Sequence, residues 1–315
     1  MNAREILLKN LGAELNFIFK NVDKNIFNEL REIRIRIGKP LAINLDGKEI
    51  FLDCNGKLCN HYAEAFFPDA SCIAATIELM SNYSLYAFEE EIRNGFLTLE
   101  GGHRVGVSGK AIVENQNLKT IRNINALNIR VSHEVKGCAD SVINLIAKPN
   151  LQHTLIISPP CCGKTTLLRD IARQISDGFS DLCGQAVGIV DERSEIAGCY
   201  KGIPQNDVGI RSDVLDCCPK EEGMRMLLRA MSPKVIVVDE IGKHSEIYAI
   251  EDIINAGIKL ICTVHGSSIE DIRRKPVLSE LLSKNIFTRF VVLESRKKIG
   301  TIMGVYDEQG RQLCI

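Results

Sequence analysis

The sequence predicts an α/β domain with a parallel-rich sheet over residues 136–315, preceded by a smaller α+β domain over residues 1–135. From residue 154 onward strands and helices alternate, and the central strands are nearly continuous apolar runs, which is typical of a parallel sheet covered on both faces. Upstream, short strands of alternating polarity mix with helices and turn residues. With 315 residues, 45% of them hydrophobic, the chain is long enough for about two packed domains.

The charge and the cysteine content limit the classes to which this protein could belong. A net charge of −1 at pH 7 gives no overall bias toward nucleic acid. No run approaches the roughly 18 apolar residues of a membrane-spanning helix, and residues 1–9 are too short and too charged for a secretion signal. Twelve cysteines beside a nucleotide-binding motif favour a reducing cytoplasm over a disulfide scaffold. Their spacing fits buried thiols better than a zinc site.

The amino-terminal elements follow from periodicity and turn signals. Apolar residues at helical spacing predict one helix from residue 1 to about 30. Residues 33–37 alternate as a half-buried strand, and residues 41–45 and 49–52 form a hairpin across the turn Asp46-Gly47. Two helices, 73–80 and 85–93, precede further strands at 95–99, 104–109, 111–113 and 121–131.

The carboxy-terminal elements begin with a helix over residues 141–147. Strands are predicted at 154–158, 186–191, 234–239, 258–264 and 288–294. Helices are predicted at 164–177, 221–231, 245–256 and within 269–284, and the tail forms a hairpin that turns at 307–310.

A phosphate-binding loop follows the first strand of this domain. Strand, tight loop, Gly-Lys-Thr and helix form the context in which backbone N–H groups and a helix N-terminus bind phosphate. We expect Lys164 to reach the β- and γ-phosphates and the Thr165 hydroxyl to ligate Mg²⁺. The nine residues of the motif are Ser158, Pro159, Pro160, Cys161, Cys162, Gly163, Lys164, Thr165 and Thr166.

The loop departs from the usual pattern at its first position, where Ser158 replaces glycine. Because glycine tolerates a tight turn close to phosphate, Ser158 must adopt a permitted conformation or accept strain. The alternative interpretation is a chance Gly-Lys-Thr after a buried strand.

An acidic pair ends a second apolar strand, residues 235–238. Ligands in open α/β sheets bind at the carboxyl ends of the strands, so Asp239 is expected to hold Mg²⁺ and Glu240 to polarise the attacking water. Two further strand ends, at Glu192 and His265, point to the same edge and could orient water or sense the nucleotide. The alternative is that these polar groups are simply solvated strand ends.

Several strings in the chain resemble the stage III sporulation protein AA family. They are residues 101–106, 190–196, 213–220 with Gly223-Met224, and 231–242. The resemblance covers nearly the whole chain, although the family loop usually has glycine where this chain has Ser158 and Cys161. It implies a RecA-like P-loop ATPase fold, related to the ATPases of type II and type IV secretion, with ATP and Mg²⁺ as ligands.

The same resemblance implies a hexameric cytoplasmic ATPase, docked on membrane proteins of the sporulation stage III complex that link mother cell and forespore. Glu192 would match the acidic box of secretion ATPases and His265 their histidine box. Arginines from the amino-terminal domain, with Arg104 and Arg122 ranked first, would complete a neighbour's ATP site; the alternative is that they are solvated strand faces. Two other classes remain, a regulatory or nucleic-acid-linked P-loop protein and a small-molecule kinase. The few aromatic residues, 5% of the chain, argue against nucleic acid.

Overall fold

The computed structural model describes residues 2–83, 95–114, 116–160, 162–180, 182–294 and 300–313, with only the backbone at residue 117. By their internal contacts these residues form two compact units, Met1–His133 and Glu134–Ile315. The predicted helix at 85–93 and the loop residue Cys161 lie outside the described residues.

In the amino-terminal unit, helices pack against a seven-stranded sheet with the strand order β4-β3-β2-β1-β7-β6-β5. All pairings described in this sheet are antiparallel. The helices are α1 (Ala3–Asn10), α2 (Ala13–Asn21), α3 (Ile26–Glu29) and α4 (Ala70–Met80). The strands are β1 (Leu30–Arg36), β2 (Ala42–Leu45), β3 (Lys48–Leu52), β4 (Leu58–Cys59), β5 (Phe96–Thr98), β6 (Arg104–Glu114) and β7 (Asn117–Arg130).

The prediction of one helix over residues 1–30 is wrong, because the chain forms three. Gly12 interrupts the first two: a Cβ there would lie 3.1 Å from the Ala75 Cβ and 3.1 Å from the Thr76 hydroxyl on α4. The chain therefore turns at Gly12 to bring α2 close to α4. The helical spacing still marks the buried side, since Leu7, Leu15 and Phe19 are fully buried.

The hairpin at Asp46-Gly47 is confirmed, with φ of 44° and 93° at the two turn residues. The two strands predicted at 104–109 and 111–113 are one strand, β6. Its irregularity between Ser108 and Lys110 surrounds Gly109, where a Cβ would lie 2.7 Å from the Arg122 carbonyl oxygen. The close approach of the neighbouring strand requires the glycine, and the sequence reasoning misinterpreted it as a break.

The carboxy-terminal unit contains an eight-stranded sheet with the order β12-β11-β13-β14-β8-β15-β16-β17. The first six strands run parallel, β16 is antiparallel to β15, and β17 is antiparallel to β16. The strands of this sheet are β8 (Thr154–Ser158), β11 (Val187–Asp191), β12 (Ser212–Asp216), β13 (Val235–Val238), β14 (Lys259–His265), β15 (Arg289–Leu293), β16 (Ile302–Asp307) and β17 (Gln312–Leu313). Two short strands, β9 (Gly178–Phe179) and β10 (Leu182–Cys183), pair with each other as a separate antiparallel sheet. The helices are α5 (Ile143–Ala147), α6 (Lys164–Asp177), α7 (Lys220–Ala230), α8 (His244–Asn255), α9 (Ile269–Arg273) and α10 (Pro276–Ser283).

Helices cover both faces of this sheet, as predicted. Ile156 packs in a cluster with residues of α5 and α6, whereas Leu155 and Ile157 pack with residues of α7–α10. The α/β fold with a parallel-rich sheet is thereby confirmed. Strand β12 was not predicted, because its five residues include Asp213 and Asp216 and lack the apolar run of a central strand.

Candidate functional site

The carboxyl ends of four neighbouring parallel strands form the edge where the predicted site residues lie. In the sheet, β11, β13, β14 and β8 follow one another. Ser158 is paired with His265 at the ends of β8 and β14, and Val190 with Val238 at the ends of β11 and β13. The residues that follow these strands therefore meet at one edge, as expected for a doubly wound sheet.

The loop after β8 leads directly into helix α6, which begins at Lys164. Gly163 adopts a φ of 87° as the N-cap, a left-handed conformation that favours glycine. Cys162 is buried, its thiol donates to the Pro160 carbonyl over 3.3 Å, and its own carbonyl accepts a bond from the Gly300 amide at 2.9 Å. The loop is thus stabilised by a hydrogen bond within it and by a second one from Gly300.

Ser158 shows no strain. It is the last residue of β8, is fully buried, and its hydroxyl donates to the Pro159 carbonyl over 2.8 Å. Its φ is not among the positive values of the chain. Serine in place of glycine therefore adopts the ordinary conformation of a strand. Thr166, in the first turn of α6, is half-buried, and its carbonyl accepts from the Cys138 thiol at 3.6 Å.

The Glu240 carboxylate contacts three side chains, those of Lys164, Arg193 and His265. Lys164 forms an ion pair and hydrogen bond with Glu240 Oε1. His265 Nε2 lies 2.9 Å from the same oxygen, and Arg193 lies 3.1 Å from Oε2. Burial of Glu240 works against its ionisation, but Lys164 above all, with His265 and Arg193, outweighs that cost and lowers its pKa. The carboxylate is therefore ionised at neutral pH.

Asp239 binds two hydroxyl groups from different elements. The Thr165 hydroxyl donates to Oδ2 over 2.7 Å, and the Thr263 hydroxyl on β14 donates to Oδ1. The latter hydroxyl also accepts a hydrogen bond from the Glu240 amide at 2.8 Å. Asp239 and Thr165 thus present adjacent oxygens, and both belong to the predicted metal-binding pair.

Glu192 lies at the same edge but contacts different cations. Its carboxylate is 3.2 Å from Lys220 Nζ and 3.8 Å from Lys243 Nζ. Asp191, directly before it, is buried and accepts bonds from the backbone N–H groups of residues 195, 196 and 197 at 2.8–3.0 Å. Burial raises the pKa of the Asp191 carboxyl to about 6, although these three donors favour its ionised form.

Lys220 was missed by the sequence reasoning. It begins α7 and is buried, and its Nζ lies 2.6 Å from the Glu240 carbonyl oxygen, 3.2 Å from Glu192 and 3.6 Å from Glu246. A signal was available: a lysine in the first helical turn faces the positive end of the helix dipole. That position favours acids, so a lysine there indicates acidic partners from elsewhere.

The two predicted arginines belong to the amino-terminal unit. Arg104 on β6 pairs opposite Arg130, and its guanidinium carbon is 3.6 Å from the centre of the Phe96 ring. Arg122 pairs opposite Lys110, farther along the same two strands. Arg104 and Lys110 are six residues apart on β6, so Arg122 lies roughly 20 Å from the level of Arg104.

These residues fit a nucleotide with Mg²⁺. Fourteen-residue α6 presents an N-terminus without acidic residues in its first turn, which suits an anion. Lys164 supplies a cation at that end, and the oxygens of Thr165 and Asp239, 2.7 Å apart, are of the kind that Mg²⁺ prefers. When bound, Mg²⁺ would neutralise charge on phosphate oxygens.

Solved structures with a similar fold include an ATPase and a pilus retraction motor. The ATPase DotB of Yersinia pseudotuberculosis matches with a TM-score of 0.59 at 14% identity, covering 94% of this chain and 79% of that one. The pilus retraction motor PilT, solved with bound ADP, matches with a TM-score of 0.52 at 17% identity, covering 85% of this chain and 75% of that one. At these identities the likeness establishes the RecA-like fold.

Sequence comparisons are closer. Stage III sporulation protein AA of Bacillus subtilis (strain 168) is 42% identical over 285 residues, which span 90% of this chain and 89% of that protein. The model of the family "Sporulation stage III, protein AA" matches residues 1–313. The chain therefore belongs to the stage III sporulation protein AA family.

Proposed function

We propose that the chain binds and hydrolyses ATP with Mg²⁺, and that it acts as the motor of a secretion-like membrane complex of sporulation stage III proteins between mother cell and forespore. The observation that carries the proposal is the convergence of Lys164, Thr165, Asp239 and Glu240 from two elements, β13 and α6, at one sheet edge. The family and the fold shared with secretion ATPases support the same activity.

Each side chain would have a separate role. Lys164 would bind β- and γ-phosphate oxygens, and Thr165 with Asp239 would hold Mg²⁺. Glu240 would accept the proton of the water that attacks the γ-phosphorus. His265 and Glu192 would orient that water or respond to the γ-phosphate from the same edge.

The ion pair between Lys164 and Glu240 suggests how ATP binding would make Glu240 a stronger base. In the chain alone Lys164 contributes most to lowering the Glu240 pKa against the cost of burial. A lysine that turns to phosphate oxygens no longer neutralises that carboxylate. The Glu240 pKa would then rise, and the carboxylate would become a stronger base as the substrate arrives.

Two substitutions test the site. We expect Lys164→Ala to abolish nucleotide binding, because the phosphates lose their main point charge. We expect Glu240→Gln to bind ATP but stall hydrolysis. Binding is measured with a fluorescent ATP analogue and turnover by phosphate release from the full chain. Normal turnover in Glu240→Gln would disprove the assignment of the base.

We further propose that the chain acts as a homo-oligomer, a hexamer, in which an amino-terminal arginine completes a neighbour's site. The spacing of roughly 20 Å between Arg104 and Arg122 along the strands is too long for both to reach one γ-phosphate. We therefore expect only one of the two substitutions, Arg104→Ala or Arg122→Ala, to lower turnover at least tenfold, about 1.4 kcal/mol of barrier.

Nucleotide affinity should stay unchanged in both arginine variants. Arg34→Ala is the control, since Arg34 lies on β1 beside Glu32 at 3.0 Å. Particle mass with and without ATP checks the hexamer. Unchanged turnover in the assembled double variant would remove the amino-terminal unit from the catalytic site.

The proposed location is the cytoplasmic face of a membrane, with attachment through the partner proteins of the complex. Among the described residues, no helix combines the length and apolar character needed to cross a bilayer. Co-sedimentation with membranes that carry or lack the partner proteins would test this attachment.

A further inference from the structure

We propose that Lys220 is a positioning residue that holds Glu240 in the orientation needed for water activation, an inference that rests on the proposed hydrolysis. Nothing in the motifs of nucleotide binding assigns a role to this lysine. The structure assigns it one through three contacts of a buried ammonium group.

The Lys220 ammonium group is surrounded by oxygen atoms. A lysine ammonium has three N–H donors and accepts nothing. Lys220 Nζ has three oxygen partners: the Glu240 carbonyl at 2.6 Å, Glu192 Oε2 at 3.2 Å and Glu246 Oε1 at 3.6 Å. The side chain is 9% exposed. A buried ammonium group that makes one hydrogen bond and two ion pairs is held in place by oxygens of three different residues.

The three partners of Lys220 follow or lie in three different elements. Glu192 follows β11, Glu240 follows β13, and Glu246 lies in the first turn of α8. The other oxygen of Glu246 accepts bonds from the amides of Gly242 at 2.7 Å and Lys243 at 2.9 Å. Lys220 and Glu246 together therefore hold the whole segment from 240 to 243 against α7 and α8.

The backbone of Glu240 adopts an uncommon conformation. Its φ is 54°, in the left-handed region that a residue with a Cβ rarely adopts. Its amide donates to the Thr263 hydroxyl at 2.8 Å, and its carbonyl accepts from Lys220. Side chains thus bind both polar groups of the residue, and they hold it in a conformation that directs the carboxylate to Lys164 and His265. Such enforced conformations are common at functional sites.

The test compares Lys220→Met with the exposed neighbour Lys243→Met, which also faces Glu192 but contacts no backbone of Glu240 in the described structure. We expect Lys220→Met to bind a fluorescent ATP analogue within about threefold of the parent while turnover falls at least tenfold, and Lys243→Met to retain both. In the Glu240→Gln background, Lys220→Met should cause no further loss of turnover, because the residue that it positions is already inactive.

Additive losses in that double variant, or loss of nucleotide binding in parallel with turnover, would overturn the proposal in favour of a purely structural lysine. A second measurement does not depend on hydrolysis: amide hydrogen exchange of residues 240–243. All four amides are hydrogen-bonded, and in Lys220→Met we expect their exchange to rise at least tenfold while that of α6 stays unchanged. If the parent hydrolyses no ATP, the proposed function fails, yet faster exchange still supports the positioning role and unchanged exchange refutes it.

Discussion

Two neighbouring strands of the parallel sheet end in the same tripeptide, Val-Asp-Glu, and use it differently. Val190 of β11 is paired with Val238 of β13, so Asp191 and Asp239 follow at the same level. Asp191 is buried and binds the backbone of residues 195–197, whereas Asp239 binds hydroxyls of Thr165 and Thr263. One carboxylate stabilises its own loop, and the other contacts the first turn of α6.

The difference lies in the residues that follow each pair. After Glu192 the chain folds back over its own strand end, with Ser194 at a φ of 53°. The loop then surrounds Asp191, and Arg169 on α6 binds the carbonyls of residues 195 and 196 from outside. After Glu240 the segment 241–243 instead leads away into α8, which leaves Asp239 open toward α6. An acidic residue at a strand end is therefore available to a ligand only where the following segment leads away from it.

The glutamates of the two pairs should show the largest difference in activity. Glu240 contacts Lys164 and His265, whereas Glu192 contacts Lys220 and Lys243. We expect Glu240→Gln to lower turnover by roughly 10²–10⁴, the usual contribution of a general base. Glu192 is connected to Glu240 through Lys220. For Glu192→Gln we therefore expect a loss of turnover that is smaller by at least an order of magnitude. Phosphate release under saturating ATP measures both, and equal losses would place Glu192 in the chemistry itself.

The aspartates should separate function from stability. Asp239→Asn is expected to cut Mg²⁺-dependent turnover by roughly a hundredfold with little change in the free energy of unfolding, because the hydroxyl partners can reorient. Asp191→Asn is expected to destabilise the chain by about 2 kcal/mol, since an amide nitrogen cannot accept from the backbone N–H groups it would face. Urea unfolding and turnover, measured on both variants, check this. A stable, inactive Asp191→Asn would contradict the structural role.

Sequence reasoning reached the candidate nucleotide site because each part has a local signal. The loop before Lys164, the apolar run before Asp239 and the strand end at His265 can each be identified from short windows, and the parallel sheet brings them together. Lys220 and Thr263 could not be found this way. Their importance comes from contacts across elements, to Glu240 in both cases.

The same limit explains the errors in the fold. The single helix predicted over residues 1–30 fails at Gly12, because the reason for the break is the close packing of α4, about 60 residues later. Strand β12 escaped prediction because it is an edge strand with two aspartates, stabilised by pairing with β11 along all five residues. In each case tertiary contacts outweigh local propensity.

The pH dependence of stability should distinguish the two acidic pairs by a small effect. Burial raises the Asp191 pKa to about 6 from 3.8, so the folded state binds a proton that the unfolded chain has lost. Its contribution to stability is therefore largest at low pH and declines as pH rises through 6. Glu240 is the opposite case: its pKa is lowered from 4.5, so its contribution is complete above 4.5 and is lost only as pH falls further.

Between pH 5 and 7.5, then, Asp191 should lower the free energy of unfolding by about 1 kcal/mol as pH rises, while Glu240 should change it hardly at all. The measurement is urea unfolding of the parent, Asp191→Asn and Glu240→Gln across this window. The buried His103 and the half-buried His153 both have a pKa lowered to about 4. They also affect the parent's profile, so the difference between the parent and each variant is compared. A flat difference for Asp191→Asn would mean that the three backbone donors outweigh burial and keep this carboxylate ionised, which would make the two aspartates alike in charge and different only in partners.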